Sequence, residues 1–194
     1  MDAFFEVSQG KLGQFNSQEL SNTVYALGQL GIDVQEDWIH EIKNAILSKK
    51  DSFLREEKHQ LFLFSKFQEM SGKPSFLTKE ILARWMEEFQ SYVTTHNQTS
   101  ASEKAVGKGL TKLNAKFEAS RFIPEIGAVV DFYNAGTRTI LQFDGPTHFL
   151  SDGSPNGSTA FQTRLLKQFG YRVLRLSYKD WDARGEKALL LLLN

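Results

Sequence analysis

Along residues 15–30 the apolar positions Leu20, Val24, Leu27 and Leu30 recur at helical spacing and fall on one stripe. Ser17 stands where a helix is capped and Gly31 where one stops. Trp38, Ile39, Ile42, Ile46 and Leu47 make a second stripe and predict a helix from about Asp37 to Ser48. The pair then recurs. Leu61, Phe62, Phe64 and Phe67 mark a helix within 53–70, Gly72-Lys73-Pro74 breaks the chain, and Ile81, Leu82, Trp85, Met86 and Phe89 mark another over 78–89. An offset of about 37–39 residues lays helix on helix, the period of a helical-hairpin array whose units bury themselves against neighbours. Two units are few, so the pattern suggests an array truncated at its N-terminus with an apolar end open to association.

Thr94–Ser102 has almost no apolar content and reads as a linker. Ser100 followed by Glu103 predicts a capping box opening a helix over about 101–114, with Lys104, Lys108 and Lys112 spaced four apart as a basic stripe. Alternating runs then predict strands over 117–123, 126–133 and 137–143. A Ser- and Gly-rich loop (150–158) leads to a helix capped by Ser158 or Thr159 and ended by Gly170. Phe161, Leu165, Leu166 and Phe169 face inward on it, while Arg164 and Lys167 are more exposed. Tyr171–Tyr178 is a strand, and a Leu-rich helix follows from Trp181. The expected organisation is N-terminal all-α helical-hairpin repeats over 1–95, a linker over 96–102, and an α/β domain over 103–194 with helices packed on a small sheet.

The hairpin around Asn134-Ala135-Gly136 carries the polar residues that invite chemistry: Asp131, Gln142 and Asp144 in otherwise apolar strands. With a loop of two or four residues, Asp131 faces Ile140 with Gln142 diagonal to it, and all three polar side chains share a face. A three-residue loop would put Gln142 on the other face. Two carboxylates side by side on such a surface are commonly held by a divalent cation. The plainer alternative is that Asp131 and Asp144 satisfy strand ends and an Asp-Gly turn.

Composition narrows the field only a little. Apolar and charged fractions of 41% and 24% are those of a globular protein. The absence of cysteine removes disulfides and thiolate metal sites and fits the cytoplasm or another reducing compartment. No basic leader with an apolar core opens the chain, and the longest apolar run, Ala188–Leu193, is too short to span a bilayer, so no membrane role is expected. The net charge of zero divides into −4 over residues 1–100 (10 Lys/Arg, 14 Asp/Glu) and +4 over 101–194 (13 and 9). The second half is the one suited to phosphate.

Several motifs of that half occur together: Val130-Asp131-Phe132, then Gln142-Phe143-Asp144-Gly145-Pro146-Thr147-His148-Phe149, the Leu165-Leu166 helix, Gly170-Tyr171-Arg172-Val173, and Ser177-Tyr178-Lys179-Asp180-Trp181. Over about 115–194 they resemble the RAP domain, found in RNA-metabolism proteins. Phe15–Thr23 and Tyr25–Gly31 in turn resemble the octotricopeptide-type RNA-binding repeats that often precede RAP domains. The resemblance implies a PD-(D/E)XK nuclease-like fold close to the very short patch repair endonucleases. In that likeness Glu103 corresponds to the first-helix acid, Asp131 to the hairpin acid, and Gln142 to a position held by Glu or Gln. Asp144 falls where most of the superfamily has lysine, and His148 matches a histidine after the Asp-Gly turn.

The expectation is therefore an RNA-binding protein, for single-stranded RNA, acting as a metal-dependent RNA-processing endonuclease. Asp131, Gln142, Asp144 and His148 would be catalytic, and Glu103, Asp131 and Asp144 would hold Mg²⁺ or Mn²⁺. Lys104, Lys108, Lys112, Arg164 and Lys167 would meet the nucleic acid. The alternatives are a catalytically inactive RNA-binding protein and a protein-interaction scaffold, the latter favoured by the acidic first half.

Overall fold

The computed structural model describes residues 2–96 and 98–193. The chain divides into two compact units, Met1–Phe89 and Gln90–Asn194.

The first unit is helical. Helix α1 (Asp2–Ser8) and a 3-10 turn (Leu12–Gln14) precede α2 (Ser17–Leu30), α3 (Glu36–Ser48), α4 (Arg55–Met70) and most of α5 (Lys79–His96). The cap of α2 is Asn16, not Ser17. Asn16 accepts the Glu19 N–H at 2.8 Å and the Glu19 carboxylate accepts the Asn16 N–H at 2.8 Å, a reciprocal pair that Ser17, with Leu20 three residues on, cannot make. Gly31 ends the helix at φ 68°, a left-handed conformation that glycine adopts without Cβ strain. Leu20, Val24 and Leu27 are buried as their spacing predicts, whereas Leu30, in the last turn, is 68% exposed. Helix α2 packs on α4, which buries Leu61, Phe62, Phe64 and Phe67. Helix α3 buries Trp38, whose indole N–H donates to Ser8 at 2.9 Å. Helices α4 and α5 meet through the Lys58–Glu88 ion pair and the stacked His59 and Phe89 rings.

Helix α5 runs to His96, so Thr94–His96 are helical, contrary to the predicted loop; Asn97, inside the expected linker, lies outside the described residues. In the second unit α6 (Ala101–Lys112) begins at the predicted capping box. Ser100 accepts the Glu103 N–H at 3.1 Å, and Glu103 accepts the Ser100 N–H at 3.2 Å. Strands β1 (Glu118–Ile123), β2 (Ala128–Asn134), β3 (Thr139–Asp144) and β4 (Arg172–Ser177) form one sheet in that order. The first three are antiparallel, and β4 joins β3 in parallel. A parallel neighbour requires a crossover, which α7 (Gly157–Gln168) supplies. Its cap is Asn156, which accepts the Thr159 N–H at 2.9 Å, in place of the expected Ser158 or Thr159. The single C-terminal helix expected from Trp181 is two, α8 (Tyr178–Arg184) and α9 (Glu186–Leu193), because Gly185 turns the chain between them.

One face of the sheet presents Phe132, Leu141 and Leu176 to Val106 and Leu110 of α6 and to Ala188 and Leu189 of α9. A Cβ at Gly109 would stand 2.9 Å from the Leu189 Cδ1, so any larger residue there would make the Leu189 side chain shift where the two helices close over the strands. Residues of opposite parity, Gln142 and Arg175 among them, face α7, whose Phe161, Leu165 and Leu166 are buried.

Candidate functional site

The hairpin loop has four residues, 135–138, between the paired Asn134 and Thr139. Asn134 builds it by accepting the Thr137 N–H at 3.2 Å, and Arg138 closes it at φ 49°. This length keeps the predicted parity but moves the register by two. Ile140 pairs with Tyr133, not with Asp131, and Asp131 stands level with Gln142. There the regular ladder ends. Gln142 accepts the Asp131 N–H at 2.8 Å through its side chain, and the Asp131 carboxylate accepts the Phe143 N–H at 2.7 Å. Side-chain acceptors thus replace the two backbone carbonyls the strands would otherwise offer. Gln142 is buried and also donates to Gln162 of α7 at 3.4 Å, so its place is in the join between hairpin and helix.

Asp131 and Asp144 have different surroundings. Burial pushes the Asp131 carboxyl up to about 6; the neighbouring Glu103 and Asp144 carboxylates add to this, and the Phe143 N–H and the Arg175 guanidinium oppose it. Asp144, with its side chain 3% exposed, is held by Arg175 through both oxygens: Nε donates to Oδ2 at 2.7 Å and Nη2 to Oδ1. His148, in a 3-10 turn (Pro146–His148), places Nδ1 2.8 Å from the same Oδ1, and its side chain is 43% exposed. Arg175 is fixed in turn by donating to Thr163 at 2.9 Å, and Thr163 donates to the Thr159 carbonyl at 2.8 Å.

The expected site residues consequently do not converge: six of them line two separate concavities, and Gln142, Asp144 and His148 line neither. A cleft of about 540 Å³ along α6 is lined by Thr99, Glu103, Lys104, Lys108, Asp131 and Phe132 among others. A second groove of about 540 Å³ runs along α7 from Pro155 to Arg175 and includes Arg164 and Lys167. Lys112 lines neither and is tied to Glu186 at 2.6 Å. Arg175, which the motifs do not single out, is the residue that decides the fate of Asp144. Its signal in the sequence is a cation inside the apolar run Val173-Leu174-Arg175-Leu176, but its partner lies 31 residues away across α7.

The donor set expected for a metal does not fit a three-carboxylate site. Asp144 gives both oxygens to Arg175 and one also to His148, and Glu103 accepts the Ser100 N–H within its capping box. Among the described residues no three His, Asp or Glu side chains come together in a way that could hold a metal ion. Among the same residues no helix is long and apolar enough to cross a membrane.

Residues 141–192 match the RAP domain family, a segment that begins at β3, later than the 115 expected from the motifs. A "RAP domain-containing protein, chloroplastic" from Oryza sativa subsp. japonica is 31% identical over 85 residues. That match takes up 43% of this chain and 13% of the plant protein. The C-terminal unit therefore carries a RAP domain over 141–192. The segment contains the whole α7 groove and none of the residues that line the α6 cleft.

Proposed function

We propose that this protein binds single-stranded RNA. RAP domains are associated with RNA metabolism, and the observation that carries the reading is that the matched segment holds a preformed groove rimmed by the cationic side chains of Arg164 and Lys167. The order α6, β1, β2, β3, α7, β4, with β4 parallel to β3, supports assigning the unit to the PD-(D/E)XK nuclease-like folds. The successive helix pairs α2–α3 and α4–α5 support an octotricopeptide-like role for the first unit, holding more of the strand. The C-terminal unit acts as a binder in this reading, because the acid at Asp144 is neutralised by Arg175.

One observation favours a second reading, metal-dependent cleavage: Asp131 is held near a pKa of about 6 beside Glu103 in an open cleft, as an acid poised for proton or cation exchange is. Labelled single-stranded RNA incubated with the full chain tests both. Filter binding over about 50–200 mM salt is expected to give an affinity that falls steeply with salt, and RNA left intact with Mg²⁺ or Mn²⁺. Cleavage abolished by Asp131→Ala would replace the binding reading with the enzymatic one. Undetectable or salt-independent association would leave the protein-interaction scaffold.

A further inference from the structure

The α7 groove is built as a receptacle before any ligand arrives. One wall is Pro155, at the end of the loop after β3, and that loop is fixed by its own bonds: Phe149 bridges to Pro155, Leu150 N–H donates to the Ser154 carbonyl at 2.8 Å, and Asn156 N–H donates to the His148 carbonyl at 2.9 Å. The Asn156 amide adds a bond to the Thr147 carbonyl at 2.8 Å. A wall held this way loses little freedom on binding. The inner end is Arg175, whose guanidinium is spent on Asp144 and Thr163. The positive charge of the rim belongs to Arg164 and Lys167, one turn apart on α7. Arg164 lies over the Phe161 ring at 5.1 Å, which sets the side chain's direction. Pro155 and Ala160, both exposed, give the groove its small apolar lining.

We propose that this groove is a subsite for one nucleotide of an RNA strand, with the phosphate on Arg164 and Lys167 and the sugar or base over Pro155 and Ala160. The proposal rests on the RNA-binding reading and adds to it the place of contact. The volume of about 540 Å³ lies in the range of about 300–1,000 Å³ typical of small-molecule sites and exceeds what a bare phosphate would fill. The α6 cleft is the rival location, and it is disfavoured for phosphate. Its Lys104 and Lys108 share the space with Glu103 and Asp131, so an approaching anion meets two carboxyl groups there and none on the rim of the α7 groove.

The test is the affinity of the full chain for a labelled single-stranded RNA oligonucleotide, measured as a function of salt. Lys167→Glu, at an exposed position, is expected to weaken binding about tenfold and to flatten the logarithmic salt slope by about 0.7, the share of a single phosphate. Arg164→Gln is expected to act in the same direction. Ala160→Leu, which enlarges the apolar lining without altering charge, is expected to weaken binding with the slope unchanged. Lys104→Glu and Lys108→Glu are expected to change affinity less than threefold. Melting temperatures matching the parent show that each variant is folded. If RNA binds the parent chain but Lys167→Glu and Ala160→Leu leave affinity unchanged, the subsite is overturned and RNA binding stands. If the parent chain binds no RNA, the functional reading fails first and the subsite with it.

Discussion

The two concavities of the C-terminal unit are similar in size and opposite in chemistry. Along α6, carboxyl groups and lysines share one open space, and Asp131 bonds to a backbone N–H instead of a cation, so burial raises its proton affinity. Along α7, the carboxylate at the inner end is locked to Arg175, and the rim carries the cations Arg164 and Lys167. A carboxyl drawn out of water can thus respond in two ways, by an upward shift of its pKa or by pairing with a cation, and the groove beside the paired acid is the one whose charged lining is cationic. The RAP segment covers the paired side alone.

The largest expected effect breaks the pairing. Arg175→Met leaves Asp144 buried without its cation and should destabilise the protein by about 3–5 kcal/mol at neutral pH in urea unfolding. Adding Asp144→Asn should return much of that loss; a double variant as unstable as the single would show that the pair is not the cause. The next concerns Asp131. Its folded pKa lies above its unfolded one, so the folded state holds this proton longer and stability is lost as pH rises from about 4 to about 6, then stays level. Asp131→Asn, whose amide oxygen still accepts the Phe143 N–H, should match the parent near pH 4. It should exceed the parent by up to about 3 kcal/mol above pH 6. A gap between the two that does not change with pH contradicts the account of the α6 side.

Smaller effects separate the framework from the site. Ser100→Ala removes half of the capping box that engages Glu103 and should cost about 1 kcal/mol, read from the same unfolding curves. Lys112→Ala breaks an ion pair whose side chains are 69% and 44% exposed and should cost under about 0.5 kcal/mol, with no effect on RNA affinity. An RNA defect in Lys112→Ala would return that residue to the nucleic-acid face where its spacing first placed it.

Most helix positions, the succession of helices and strands along the second half, and the common parity of Asp131, Gln142 and Asp144 could be read from residue spacing, because periods of 3.6 and 2 survive small errors in boundaries; α1 and the break at Gly185 could not. The two-residue shift in the hairpin could not, since it depends on an Asn134 side chain bonding inside the loop. Nor could the divergence of the three polar residues. Parity assigns a face, but the Asp131 carboxylate turns to the Phe143 N–H and opens on the α6 cleft, while Asp144 stays under α7 with Arg175. Spacing alone puts the caps of α2 and α7 on a nearby serine or threonine instead of on Asn16 and Asn156. A cap is chosen by what lies three residues on, and at α2 the reciprocal Glu19 identifies it.

The most direct measurement is photocrosslinking of the full chain to single-stranded RNA carrying 4-thiouridine, followed by mapping of the modified peptides. Crosslinks concentrated in residues 155–175, and strongly reduced in Lys167→Glu at the same RNA concentration, are the predicted result. Crosslinks confined to 99–132, on the α6 side, would contradict the assignment of RNA to the α7 groove.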